Sequence, residues 1–238
     1  MASYDAIGKF YDDIMSDQKE SAKQIYKLIK KFHPAAQSVL ELGCGTGSYL
    51  QHLSRHYNTT GLDQSCVMLS IARKKIPKAE LYQTGMLEFK FNKRFDVIIC
   101  MNDTFNHFLK VLDIKKLLSK VYEHLAENGI LIFDINTEYK LNTLSESPPI
   151  IHQFGSSYFI TNVSRISKDM YEWDLRIFEH TKDNNYKLYE ELLYERSYTI
   201  SHIKSYLTKN FKNINVFDLN KKRVSPGSQR LHFICNKN

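Results

Sequence analysis

Between residues 38 and 135 the sequence alternates short apolar runs with stretches of helical period, a pattern that few chain architectures satisfy. The spacing predicts strands near 38–42, 58–63, 79–83, 95–101 and 130–135, and helices near 47–56, 65–75 and 113–127. Val97-Ile98-Ile99-Cys100-Met101 and Ile130-Leu131-Ile132-Phe133 are apolar at every position, as strands covered on both faces must be. Such alternation predicts an α/β fold with a doubly wound, mostly parallel sheet. Gly129 fits the position that follows the 113–127 helix. Upstream, Ile7, Phe10, Tyr11 and Ile14 share one face of a short helix. Ala22, Ile25, Ile29 and Phe32 share a face of a second, from about Gln18 to Phe32, which Pro34 closes.

After Asp134 the period changes. Tyr171, Trp173, Leu175 and Ile177 alternate with Glu172, Asp174 and Arg176, the pattern of a half-exposed antiparallel strand. With partners at 157–165 and 186–199 and a turn at Asp183-Asn184-Asn185, this predicts a three-stranded antiparallel β insert. A helix near 201–210 and a hairpin of 214–219 and 230–235, turning through Ser225-Pro226-Gly227, complete the sheet. The expected organisation is lid helices with a cofactor-binding core at 1–147, the insert at 148–199 and completion of the core sheet at 200–238.

A chain of 238 residues buries a core without covalent staples. Its four cysteines (Cys44, Cys66, Cys100 and Cys235) form no C-x-x-C pair and read as reduced thiols. No apolar signal core follows Met1 and no apolar run approaches a membrane span, so a cytoplasmic protein without a membrane partner is expected. The formal net charge of +7 is scattered over helix faces at Lys27, Lys30, Lys31, Arg73, Lys74, Lys75, Lys115 and Lys116. Only Lys221-Lys222-Arg223 forms a run in a turn, so a nucleic-acid partner is not expected.

The chemistry concentrates in Val39-Leu40-Glu41-Leu42-Gly43-Cys44-Gly45-Thr46-Gly47, a buried strand running into a glycine bend and a helix. Glycines at alternate positions let the chain turn sharply and a flat ligand approach the backbone. A dinucleotide fingerprint would place its third glycine at 48, where Ser48 stands, and no Lys-Ser/Thr pair follows to make a phosphate loop. Thr59-Thr60-Gly61-Leu62-Asp63 ends in a carboxylate twenty positions after Gly43, placed to accept hydrogen bonds from ribose hydroxyls. Ser65 then caps a helix carrying Val67, Met68, Leu69 and Ala72.

The E-x-G-x-G-x-G bend at 41–47 and D-x-S-x-x-M-L-x-x-A at 63–72 resemble class I S-adenosylmethionine-dependent methyltransferases. Three further segments resemble small bacterial enzymes that include aminosugar N,N-dimethyltransferases. They are Phe10-Tyr11-Asp12, Arg94-Phe95-Asp96-Val97 leading through Met101 to Asn102-Asp103-Thr104-Phe105-Asn106-His107-Phe108, and the β insert. The resemblance implies S-adenosyl-L-methionine as cofactor, held by Tyr11, Glu41, Gly43, Cys44, Gly45, Gly47, Asp63, Gln64, Met68, Gly85, Met86, Met101 and Asn102. It places Met68 near the adenine and the Met86 N–H on the adenine ring, and gives Glu41 the loop or the cofactor's amino group. Relatives carry Q-G-D-M where this chain has Gln83-Thr84-Gly85-Met86, so adenine is expected to be held without that acid.

Methyl transfer from a sulfonium is an in-line displacement, which leaves the protein to align the acceptor and exclude water. An amine acceptor must also lose a proton, and a histidine suits that task near neutral pH. By resemblance, His107 and Tyr11 are the residues expected to position the acceptor or handle its proton, with Asn102 and Asp103 as further contacts. The acceptor is then a small molecule, with an amine nitrogen favoured over a hydroxyl or carboxylate oxygen. RNA or protein methylation and a non-catalytic binding module are remoter readings. Asn102-Asp103-Thr104-Phe105 lacks the Asn/Asp-Pro-Pro-aromatic motif of enzymes acting on DNA bases or glutamine side chains. Histidine spacing predicts no metal site. In those relatives the insert roofs the acceptor pocket and contributes to dimer contacts, so the resemblance leaves a homodimer open.

Overall fold

Strands β1 (Ser38–Leu42), β2 (Asn58–Asp63), β3 (Glu80–Gln83), β4 (Phe95–Cys100) and β5 (Leu125–Asn136) lie parallel in the core. These are seen in a computed structural model, which describes residues 4–15, 17–183, 185–221 and 223–237. Asn184 of the expected turn and Lys222 of the basic run lie outside that set. A second sheet follows, with β6 (Ile150–Phe154), β7 (Ser157–Arg165), β8 (Met170–His180) and β9 (Tyr186–Arg196) antiparallel in sequence order. Strands β10 (Phe211–Phe217) and β11 (Arg230–Lys237) return antiparallel to the core, giving the seven-stranded order β10-β11-β5-β4-β1-β2-β3. Chain direction along the sheet reverses between β1 and β4, and a ligand crevice forms outside the carboxyl ends of strands at such a point.

The two-sided burial read from the sequence is what fixes the layers. Val39, Val97, Ile99, Ile130 and Ile132 point to one face, beneath Ala22, Ile25 and Ile29. Those three lie on α2 (Lys19–Phe32), which follows the short α1 (Tyr11–Ile14). Leu40, Ile98, Leu131 and Phe133 point to the other face, where Ile114, Leu117, Leu118 and Val121 pack on them. Each such fully buried side chain stabilises the fold by about 1.5–3 kcal/mol. The helices between the strands are α3 (Ser48–Leu53), α4 (Cys66–Lys75) and α5 (Val111–His124), while α6 (Glu138–Ser145) packs on β7 of the second sheet and α7 (Ile200–Leu207) on α5 and β10 of the core.

Two expectations are corrected. Helix α5 stops at His124, and Gly129 lies inside β5 rather than after a helix. His124 ends the helix because both ring nitrogens are engaged, one with the Lys120 carbonyl (2.7 Å) and one with the Phe91 N–H (3.1 Å). Leu125 then pairs with Phe95, and the register slips before Val97 meets Ile130. The glycine serves this irregularity, since a Cβ there would meet the Ala126 carbonyl oxygen at 2.9 Å. The insert has four strands, not three. Its extra strand, β6, is a solvent-exposed edge without the alternation of a half-buried strand.

Stacked rings join these parts to the future site. Phe105, in a 3₁₀ turn over Thr104–His107, stacks on Phe133 at 4.5 Å, and Phe133 stacks on Phe233 at 4.9 Å. The turn after β4 is thereby anchored through β5 to β11. Asn106, fully buried, donates to the carbonyls of Asn136 (3.1 Å) and Arg196 (2.9 Å), which ties the same turn to β9. Phe10 and Ile7 pack against Leu175, Ile177 and Leu193 on the inner face of the insert.

Candidate active site

One carboxylate organises the glycine bend. Asp63 Oδ2 accepts from the Gly45 N–H and Oδ1 from the Ser65 N–H, each at 2.9 Å. Ser65 in turn accepts from the Met68 N–H at 3.2 Å and caps α4 as expected. Burial pushes the Asp63 carboxyl above its ordinary range, against backbone N–H groups that favour its charge. At the bend's end, Gly47 has φ +78°, and a Cβ there would meet Ile76 Cδ1 at 2.9 Å. Glycine is therefore needed twice at this position, for the left-handed backbone and for close packing on α4.

Nine of the expected cofactor residues line one crevice at the carboxyl ends of β1, β2 and β4: Tyr11, Gly43, Gly45, Asp63, Gln64, Met68, Gly85, Met86 and Asn102. Glu41, Cys44 and Met101 line a smaller cavity that shares Tyr11, Gly43, Gly45 and Asn102 with it. Gly47 lines neither. Cys44 and Met101 turn their side chains into apolar clusters, which leaves their backbones facing the space. The crevice also includes His107, and with it Tyr4, Thr84 and Thr104, which the sequence did not point to.

The donor and acceptor set tests the expected cofactor. Glu41 is buried, and its Oε2 has no hydrogen-bond partner among the described residues. Burial, with Asp63 nearby, holds its carboxyl well above the usual range. An orphaned acceptor of this kind calls for a cationic or N–H partner. At Gly45 an added Cβ would meet nothing within 4 Å, so the bend opens onto free space. Carboxylates at 41 and 63 suit an amino acid's ammonium and a ribose diol, and would repel a phosphate. The residues fit a sulfonium nucleoside.

A strap crosses the bend. Asp12 on α1 accepts from Thr46 Oγ1 at 2.7 Å and pairs with Lys75 Nζ at 2.5 Å. Beyond Tyr11 and Asn102 lies a second cavity of about 380 Å³, lined by residues of both core and insert. Its apolar wall includes Ile7, Phe159, Trp173 and Leu193, and its polar floor Asp103, Asn136, Lys140, Glu195 and Arg230. Arg230 Nη1 meets Asp134 Oδ2 at 2.5 Å, and its other terminal nitrogen meets Asp103. Asn102 and Asp103 hold left-handed φ of 57° and 52°, and the Asp103 N–H donates to Asp134 at 2.8 Å. Asn136 Nδ2 donates to Glu195 at 3.0 Å and Lys140 Nζ to Asn136 Oδ1 at 2.8 Å.

These charges shift one another. Burial, with Asp103 adding, holds the Glu195 carboxyl well above its ordinary range. Burial and the neighbouring Arg230 lower the Lys140 ammonium. For Asp103, burial opposes ionisation but Arg230 prevails and brings the carboxyl down. Burial lowers His107 and raises the Tyr11 phenol. His107 Nδ1 lies 2.9 Å from the Tyr194 carbonyl, so it carries the proton, and Nε2 accepts from the Tyr4 hydroxyl at 3.0 Å. One ligating atom each from Asp103, His107 and Glu195 fall within 4.8 Å of one another. Spacing along the chain does not reveal this convergence, because Glu195 arrives from the insert. Arg230 and Lys140 beside it offset the carboxylate charge.

Residues 39–129 match a family profile described as a methyltransferase domain. A solved S-adenosylmethionine-dependent methyltransferase from Clostridium acetobutylicum is 26% identical, with a TM-score of 0.87 over 99% of both chains. A dTDP-3-amino-3,6-dideoxy-alpha-D-glucopyranose N,N-dimethyltransferase from Streptomyces fradiae is 30% identical over 119 residues, which is 50% of this chain and 47% of that enzyme. The chain thus spans about half the length of the aminosugar enzymes it matches. A sugar N-methyltransferase from Streptoalloteichus, 17% identical, has the same fold, with a TM-score of 0.83 over 98% of this chain and 92% of that one.

Proposed function

Because the chain is a class I S-adenosylmethionine-dependent methyltransferase, we propose that it methylates the amine nitrogen of a small molecule held between core and β insert. The observation that carries this reading is the convergence of Asp103, His107 and Glu195 beside the crevice. An alkyl ammonium releases its proton at about pH 8–10. A carboxyl raised by burial narrows the gap to such a group, and desolvation lowers the ammonium at the same time. A hydroxyl lies far beyond the reach of either base. The cluster therefore favours an amine nitrogen over a hydroxyl oxygen.

The cofactor supplies an electrophilic methyl group when bound. Asp63 is positioned to accept from its ribose hydroxyls and Glu41 from its amino group. Tyr11, between crevice and cavity, positions the acceptor. His107 offers Nε2 once the Tyr4 hydroxyl yields it, and Glu195 is the second proton-accepting group. Phe10 packs on the insert beside this cavity and joins the N-terminal segment to it. Trp173 Nε1 and Thr161 Oγ1 are buried without partners among the described residues, and both would pair with oxygen atoms of a hydroxylated ring. An aminosugar has both the nitrogen and those oxygens, in keeping with the partial likeness to aminosugar enzymes.

A panel of aminosugars and their hydroxyl counterparts, assayed for methyl transfer, tests the reading. Transfer confined to the hydroxyl forms would exclude it. His107→Ala is expected to leave cofactor affinity within about twofold and to lower turnover by about 10²-fold, the scale of general-base loss. Wild-type turnover by this variant on every acceptor that the parent methylates removes His107 from the mechanism.

A further inference from the structure

Past the ribose-binding carboxylate, the crevice wall is made by Thr84, Gly85 and Met86. A purine joined to that ribose presents its edge here. An adenine edge has an amino group that must donate and ring nitrogens that must accept. The Gly85 carbonyl is already taken, accepting from the Glu88 N–H at 3.1 Å and the Phe89 N–H at 3.2 Å. That turn folds the Glu88 side chain back over Gly85. A Cβ built on Gly85 would fall 2.1 Å from Glu88 Oε2 and 3.2 Å from its carboxyl carbon. The carboxylate thus fills the volume that a side chain at 85 would need.

Glu88 forms no side-chain hydrogen bond or ion pair among the described residues. It lines, with Gln64 and His107, an open cavity that shares those two residues with the crevice. We propose that the Glu88 carboxylate accepts the hydrogen bond of the adenine amino group, supplying from one turn later the acid that this chain lacks at 85. A side chain at 85 would have to move this carboxylate, so the glycine lets Glu88 keep its place. Met86 completes the pair with a backbone N–H directed to the ring. This rests on the cofactor and is independent of which molecule receives the methyl group.

The chemistry predicts a preference that calorimetry can read. S-adenosylhomocysteine has the amino group, while S-inosylhomocysteine has a carbonyl oxygen there, which Glu88 would repel. The wild-type chain is expected to bind the adenine compound about tenfold more tightly, as one solvent-accessible charged hydrogen bond allows. Glu88→Ala reduces that preference by weakening the adenine compound while sparing or improving the inosine one, and the remainder reflects the Met86 N–H, which suits the N1 acceptor of adenine and opposes the N1–H of hypoxanthine. Glu88→Gln, whose amide oxygen still accepts, keeps part of it. An undiminished preference in Glu88→Ala overturns the proposal. Failure of the wild-type chain to bind either compound overturns the cofactor assignment and this proposal with it.

Discussion

Asp63→Ala abolishes calorimetrically detectable binding of S-adenosylmethionine, with an affinity loss of at least about 10²-fold. The size follows from what one carboxylate does. In the proposed reading it accepts from the ribose, and each hydrogen bond to a charged group contributes about 1.5–3 kcal/mol. It also fixes the bend through the Gly45 N–H and the start of α4 through the Ser65 N–H. Alanine removes the ligand contact and loosens both walls. Asp63→Asn, which retains one acceptor oxygen, is expected to fall between the two. Unchanged circular dichroism separates a lost site from a lost fold. Binding by the alanine variant within threefold of wild type would leave the ribose without its assigned partner.

The second large effect is on stability. Arg230→Met is expected to lower unfolding free energy by about 3–5 kcal/mol, the cost of stranding the charge opposite a buried cation. Asp134 is 1% exposed and Asp103 lies beside it, so both carboxylates lose their counter-ion together. At about 2–4 °C per kcal/mol for a chain of this size, the melting temperature falls by roughly 6–20 °C. Combining Arg230→Met with Asp134→Asn recovers part of the loss, since one stranded charge is gone. A single variant that melts within 1 °C of wild type contradicts the account. Asp103 is held below its unfolded value, so its stabilisation is complete above about pH 4. It is lost as pH falls through the depressed folded value.

What the sequence disclosed was local. The parallel sheet follows from two-faced apolar runs such as 97–101, and Asp63 and Ser65 follow from their distance to the glycine bend. The end of α5 was misread because His124 is fixed by Phe91, a partner remote in sequence. Strand β6 was missed because an exposed edge strand needs no alternation. In the candidate site, His107 and Tyr11, which both line the crevice, are named through motif resemblance. Glu195, Lys140 and Arg230 come from three separate elements and meet only once the insert and the β10–β11 hairpin have closed on the core. Tyr4 sits in a segment with no motif of its own. Gly85 showed only as a missing acid; that Glu88 lies over it is a property of the turn.

The strap over the bend is fastened to the core at Asp12, which meets Lys75 and Thr46, while Phe10, two residues earlier, packs against the insert. A half-exposed ion pair of this kind is worth about 1 kcal/mol or less. If the spent nucleoside leaves beneath this strap, its exit is held by a fastening that ordinary thermal motion undoes. Raising ionic strength loosens it further, and a turnover limited by product departure then quickens with salt.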